Sequence, residues 1–200
     1  EQIVYIVNHA EDKWILVDPL VLPVVEQISG ELSGVEGFII MTDDKHMPET
    51  NLDHAVSYES FIGSESEAYN WPDFDERSAA GLCYTSGTTG NPKGVLYSHR
   101  STILHAFAAV SPDVMNLGSH DCVLPVVPLF HVNAWGVPYA ALMVGSKLVL
   151  PGPKMGDGET LYNLIEQEQV SLSLGVPTVW LTLLQYADSV GKRLDKLDRT

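Results

Sequence analysis

Cysteine and positive charge are both scarce in this sequence. Its 200 residues hold two cysteines, Cys83 and Cys122, each inside an apolar run. Two buried free thiols in a reducing compartment explain them better than a disulfide or a metal pair, which predicts a cytoplasmic protein. Lysine and arginine number 11 against 26 aspartates and glutamates, a net charge of −15. That balance argues against nucleic acid and anionic membrane surfaces as partners. Long apolar runs are also missing: Cys122 to Phe130 and Val137 to Val144 are too short to span a bilayer. No basic segment leading into an apolar core opens the chain, so no secretory signal is visible. The start at Glu1, without methionine, predicts that an N-terminal portion precedes it. Low-complexity tracts and internal repeats are absent, and 45% hydrophobic residues are enough to build a core in one domain or two joined subdomains.

Acidic residues are missing from two stretches in particular. Ten acids fall between Asp43 and Glu76, and none from Arg77 to Pro112, where Arg77, Lys93 and Arg100 stand. A second acid-free stretch runs from Cys122 to Gly156 and is mostly apolar. The first suits an anion site and the second a core or an apolar pocket. Ordinary burial also excludes carboxylates, so charge alone does not separate these readings.

What is present is an alternation of short β-rich runs with helical patterns. Strands are predicted at Trp14 to Asp18, Gly37 to Thr42, Ala79 to Thr85, Gly94 to Ser98, Cys122 to Val126, Lys147 to Leu150 and Val170 to Leu174. Helices are predicted at Pro19 to Leu32, from His99 to about Met115 with Ser98 as cap, at Glu159 to Gln169 and at Pro177 to Asp188. Ile3 to Asn8 fits either a helix end or a strand. The alternation predicts an α/β protein with largely parallel sheets. The acidic, proline-punctuated stretch Asn51 to Arg77 reads as a linker or long loop. It divides a first α/β subdomain portion, 1–76, from a second, 77–200.

The most informative segment is Tyr84-Thr85-Ser86-Gly87-Thr88-Thr89-Gly90-Asn91-Pro92-Lys93-Gly94. Its glycines permit backbone conformations that aim several N–H groups into one concavity. Thr85, Ser86, Thr88 and Thr89 add hydroxyl donors, and Lys93 adds a mobile point charge suited to phosphate. Small hydroxyl residues between glycines make a poor core and a good phosphate cradle. This is not a Walker A loop, because Pro92 and Gly94 flank the lysine where that pattern has glycine and then serine or threonine. The loop leads into a predicted strand, so a helix dipole is not the source of anion affinity.

The run from Thr85 to Gly94 resembles the signature of the adenylate-forming superfamily, which includes acyl-CoA synthetases, luciferases and peptide-synthetase adenylation domains. The resemblance implies that the loop, with Gly87 and Gly90, closes on the β- and γ-phosphates of ATP. It places Thr85 near a magnesium ion, and Ser86, Thr88, Thr89 and a catalytic Lys93 around the leaving pyrophosphate. Downstream, Pro128-Leu129-Phe130-His131-Val132-Asn133-Ala134-Trp135-Gly136 resembles the family motif that borders the acyl pocket. By themselves, His131 and Trp135 are more often core residues than site residues. The resemblance puts a catalytic His131 beside the reacting carboxylate, with Val132 and Trp135 near the nucleotide and the tryptophan able to gate an acyl tunnel. Phe130 to Trp135 and Tyr97-Ser98-His99-Arg100-Ser101 are closer to the medium- and long-chain fatty acid branch. His99 and Arg100 equally suit a helix start at the surface. Gly175-Val176-Pro177-Thr178 also fits the family, but a proline-opened helix explains it fully.

The resemblance thus implies an ATP-dependent ligase that joins a fatty or related carboxylic acid to coenzyme A through an acyl-adenylate. ATP, Mg2+ and coenzyme A are the implied cofactors and co-substrates, and a homodimer the implied assembly. An adenine-binding strand, a magnesium glutamate, a ribose aspartate and a late catalytic lysine are not recognisable before Thr200, so this chain alone is expected to be inactive. A non-catalytic phosphate-binding module and an adenylation domain serving a carrier protein are the competing readings. The intact loop and the intact Phe130 to Trp135 motif together favour the enzyme.

Overall fold

The computed structural model describes residues 1–85 and 90–200. Two compact units emerge, Glu1–Phe74 with Tyr84–Val95, and Asp75–Cys83 with Leu96–Thr200. No helix among the described residues is long and apolar enough to cross a membrane.

The first unit opens with α1 (Gln2–Ala10), which resolves the ambiguous start as helix. Glu11 ends it at φ 58°, and the Asn8 side chain ties its end to Ser33 N and Glu31 O. Strand β1 (Trp14–Val17) follows. The stretch predicted as one helix from Pro19 is instead a short 3-10 turn, α2 (Leu22–Ile28) and a second 3-10 turn. The Asp18 side chain accepts from Leu20 N at 2.8 Å and starts that series. Strand β2 (Gly37–Ile40) pairs in parallel with β1 on one side and β3 (Ala55–Ser57) on the other. All four β2 residues are buried, as expected of a central parallel strand. Val7, Val17, Leu22, Phe38, Ile40 and Leu52 form the core around it.

The predicted loop at Asn51 to Arg77 therefore holds two elements, β3 and the short helix α3 (Tyr58–Gly63). Ser57 caps α3 by accepting from Ser60 N, and Asp44 accepts from the hydroxyls of Ser57 and Ser60. Those hydrogen bonds hold the Asp44 carboxyl below its ordinary range. Strands β4 (Ala79–Thr85) and β5 (Lys93–Ser98) pair in a two-stranded sheet of their own, so the hydroxyl-rich loop does run from strand to strand.

In the second unit, β5 passes into α4 (His99–Val110) through a reciprocal cap. Ser98 Oγ accepts from Ser101 N, and Ser101 Oγ accepts from Ser98 N. The helix stops at Val110, short of the predicted end, where Ser111 turns to extended backbone. Then come β6 (Cys122–Val126), the single turn α5 (Val132–Trp135), α6 (Val137–Val144), β7 (Lys147–Leu148), α7 (Gly158–Glu168), β8 (Leu172–Gly175) and α8 (Pro177–Ser189). The sheet order is β7-β6-β8, all parallel. β6 alternates its contacts with period two. Cys122, Leu124 and Val126 pack toward α7 and α8, while Val123 packs with Ala106 of α4 and Val137, Ala140 and Ala141 of α6. Pro125 sits in this central strand where β7 no longer pairs, since β7 matches only Cys122 and Val123.

Asp121 locks one end of the sheet. It is 2% exposed, accepts from Gly118 N at 2.9 Å and Ser171 Oγ at 2.7 Å, and is paired with Arg199. Burial pushes its carboxyl up, but the bonds from Ser171 and Gly118 and the charge of Arg199 outweigh it and hold the group below its ordinary value.

Candidate functional site

The residues predicted to form the site divide between the two units. In the first, Tyr84 shares a 2.6 Å hydrogen bond with His9 Nδ1, which fastens the last part of β4 to α1. Thr85 ends β4 with an exposed side chain, and its Oγ1 donates to Lys93 O at 3.4 Å. Ser86, Gly87, Thr88 and Thr89 lie outside the described residues. Gly90 has φ 139°, a backbone state that needs glycine, and among the described residues nothing lies within 4 Å of a Cβ built there. Pro92 is buried and Lys93 exposed at the start of β5. The lysine head is thus presented to solvent from a fixed backbone.

No group of three or more His, Cys, Asp or Glu among the described residues is placed to hold a metal ion. Magnesium, however, is commonly held by one or two protein oxygens together with substrate phosphates. The exposed hydroxyl of Thr85 at a strand end fits that mode.

Among the described residues, Arg100 differs from Lys93 in having an acidic partner. Its guanidinium pairs with the Glu76 carboxylate, and its N–H donates to Glu76 O at 2.7 Å. The surface reading of this residue is the one observed.

In the second unit, His131 is exposed and extended (φ −95°, ψ 105°), and its N–H donates to Pro128 O. The next four residues, Val132, Asn133, Ala134 and Trp135, all have positive φ, at 51°, 50°, 47° and 56°. They form one left-handed turn of non-glycine residues. Each such residue costs about 1–2 kcal/mol relative to the right-handed form, and a β-branched valine is especially disfavoured. The turn persists because the surroundings hold it. Ala134 is fully buried, Ala134 N donates to His131 O, and Gly136 N donates to Asn133 O. Cys83 Sγ donates to Asn133 Oδ1 at 3.1 Å, and His105 Nε2 lies 3.0 Å from Trp135 O. Pro138 helps from the other side. Extending α6 backwards as a right-handed helix would set the proline ring against the carbonyl of Ala134.

The turn walls a cavity of about 310 Å³. Val132 and Asn133 line one side, Thr102 and His105 of α4 another, and Gly136 and Tyr139 the base. Tyr97 of β5 also contributes. His131 and Trp135 lie outside this lining, with Trp135 37% exposed. The volume is at the small end of ligand pockets, roughly 300–1,000 Å³, so a small, largely apolar body fits it. Sequence reasoning placed only Val132 here and missed Thr102, His105 and Tyr139. Ser101 and His105 stand four apart on a capped helix, a spacing that would have put them on one face, but nothing in the sequence says which face meets the turn.

The whole chain matches known proteins. Residues 1–199 match the family described as AMP-binding enzyme. A medium-chain-fatty-acid–CoA ligase of Ectopseudomonas oleovorans is 52% identical over 199 residues, covering all of this chain and 36% of that protein. A long-chain-fatty-acid–CoA ligase of Thermus thermophilus is 51% identical, covering all of this chain and 35% of that protein. A 3-methylmercaptopropionyl-CoA ligase of Ruegeria pomeroyi is 49% identical, covering all of this chain and 37% of that protein. Among solved structures, an anthranilate CoA ligase in complex with anthranoyl-AMP superposes with a TM-score of 0.79 at 21% identity, over 98% of this chain and 37% of that one. At that identity the likeness shows the fold alone. The chain spans little more than a third of the length of these relatives. With the match running from the first residue to the last but one, through both the hydroxyl-rich loop and the turn at Val132, the chain belongs to the AMP-binding enzyme family.

Proposed function

We propose that the parent enzyme of this chain is an acid–thiol ligase, activating a fatty or related carboxylic acid with ATP and passing it to coenzyme A. The carrying observation is the small cavity walled by Val132 and Asn133, members of the Phe130 to Trp135 motif. The names of the relatives near half identity support the same reading, since each is a ligase of coenzyme A with an organic acid.

A carboxylate is a poor electrophile. In this reading its oxygen attacks the α-phosphorus of ATP, the bond to pyrophosphate breaks, and an acyl-adenylate forms. The thiol sulfur of coenzyme A then attacks the acyl carbon, and AMP leaves. The protein's task is to position two anions and offset their charge. Thr85, Ser86, Gly87, Thr88, Thr89 and Gly90 cradle the phosphates, and Lys93 neutralises charge on the departing pyrophosphate. His131 stands beside the carboxylate, with Val132 and Trp135 bordering nucleotide and acyl group. Thr85 would hold Mg2+ together with the phosphates, and the ion would supply Lewis-acid stabilisation of phosphoryl charge. The reading also covers a role in lipid metabolism, a cytoplasmic location and a homodimer. The two free thiols, Cys83 and Cys122, suit a reducing compartment.

The test is a panel of carboxylic acids with the parent enzyme, reading AMP release with and without coenzyme A. Acid-dependent AMP release that rises with coenzyme A is expected, and its absence across the panel would sink the proposal. The isolated chain is expected to show no ATP–pyrophosphate exchange.

A further inference from the structure

The left-handed turn is the least self-sufficient piece of backbone in the second unit. Four consecutive residues hold φ between 47° and 56°, and none of them is glycine. Its last carbonyl, Trp135 O, meets His105 Nε2 at 3.0 Å. A carbonyl only accepts, so the ring carries its proton on Nε2 at this contact. The same ring fills the space beside Gly136. A Cβ built there would meet His105 Cδ2 at 2.5 Å and Nε2 at 2.8 Å. Gly136, at φ 73°, is therefore glycine for two reasons, its backbone state and the imidazole against it. His105 also faces the cavity that Val132 and Asn133 wall. One side chain thus touches the end of the turn, the residue that follows it and the cavity.

We propose that His105 is a positioning residue for the acid substrate: its Nε2–H holds the Trp135 carbonyl, keeps the Val132–Trp135 turn left-handed and so sets the wall of the cavity. The proposal rests on the reading of the cavity as the acyl site. Without the bond and the ring, the turn loses its restraint from α4, while the Cys83 contact to Asn133 restrains only the opposite end. Relaxation of Val132 and Asn133 toward negative φ would swing both side chains and change the cavity's shape. Val132 and Trp135 also border the nucleotide in the proposed function, so ATP binding shifts too, but less than acid binding, because the phosphate contacts come from the segment before Lys93.

The experiment compares His105→Leu, His105→Gln and His105→Asn in the full-length parent enzyme, with butyrate, octanoate, palmitate and 3-methylthiopropionate as probes. A Gln carboxamide N–H reaches about where Nε2 stood, and an Asn carboxamide stops near Nδ1. For the best wild-type acid, His105→Leu and His105→Asn are expected to raise KM by about tenfold, with a smaller rise in KM for ATP, and His105→Gln to stay within about threefold. Unchanged KM for the acid in His105→Leu would overturn the proposal, as would Asn matching or exceeding Gln. If His105→Leu does not fold, the Gln and Asn pair decides alone. If the wild-type parent turns over none of the acids, the functional reading fails separately. A crystal structure of the Asn variant then decides the structural claim: retained positive φ at Val132 to Trp135 refutes it, and relaxed φ supports it.

Discussion

Among the segments that take up backbone L-residues avoid, those at Gly90 and at Val132–Trp135 reach it by different routes. Before Lys93, Gly90 has a positive φ, and among the described residues nothing lies within 4 Å of a Cβ built there. At Val132–Trp135 the positive φ falls on a valine, an asparagine, an alanine and a tryptophan, and the neighbouring structure supplies the restraint. A glycine takes positive φ without a Cβ penalty, whereas the forced turn depends on α4, β4 and the buried Ala134. The first arrangement suits a loop that grips many phosphate oxygens in turn. The second suits a wall whose shape must be single-valued.

The comparison yields predictions of decreasing size. Removing the charge at the end of the glycine loop is expected to have the largest effect. Lys93→Ala in the parent enzyme should lower ATP–pyrophosphate exchange by about 100- to 1,000-fold, as expected for loss of a group stabilising transition-state charge. Because Lys93 is exposed, stability should change by less than about 0.5 kcal/mol in urea unfolding. A large stability loss would mean the loop is as dependent on packing as the turn.

Loosening the sheet of the second unit tests the other side of the comparison. Asp121→Ala leaves Arg199 and the Ser171 hydroxyl without their carboxylate and should cost about 3 kcal/mol in urea unfolding. The pH dependence follows the depressed pKa of Asp121. Its contribution is present above the unfolded value of about 4 and is lost as pH falls through the lower folded value, which an acid titration of stability detects.

The two glycines give a direct contrast. Gly136→Ala meets both a disfavoured φ and the His105 ring, and should cost about 2–3 kcal/mol. Gly90→Ala meets only the backbone penalty, and should cost about 1–2 kcal/mol. Equal losses in urea unfolding would erase the distinction drawn above. The smallest effect is expected at Val132→Gly. In an ordinary exposed helix that change costs about 0.3–0.5 kcal/mol, but here relief of left-handed strain should leave stability unchanged or raise it by up to about 1 kcal/mol.

Much of the architecture was legible because burial leaves a periodic trace. The apolar runs at Trp14, Gly37 and Cys122 became strands, and Ser98 and Pro177 opened helices as their chemistry requires. Elements with weak periodicity were not legible. β3 and α3 hide in an acidic stretch because a three-residue strand and a six-residue helix carry too few positions for a pattern. α6 is apolar on nearly every face, so its period is masked by a hydrophobic run. Of the residues lining the cavity, Val132 lay in a motif that the sequence singled out, whereas His105 was invisible. A lone histidine on a helix says nothing of the carbonyl it will meet.

The order of glycines and hydroxyls around Lys93, and the alternation of strand and helix, were decided by the sequence alone, since each rests on residues close in the chain. Gly90, without a Cβ, meets no steric penalty at its positive φ. The handedness of Val132–Trp135 was decided only by tertiary structure. Locally those residues favour negative φ, and the positive values are held by a histidine thirty positions earlier and a cysteine fifty positions earlier. Contacts of that separation exist only once the chain has folded.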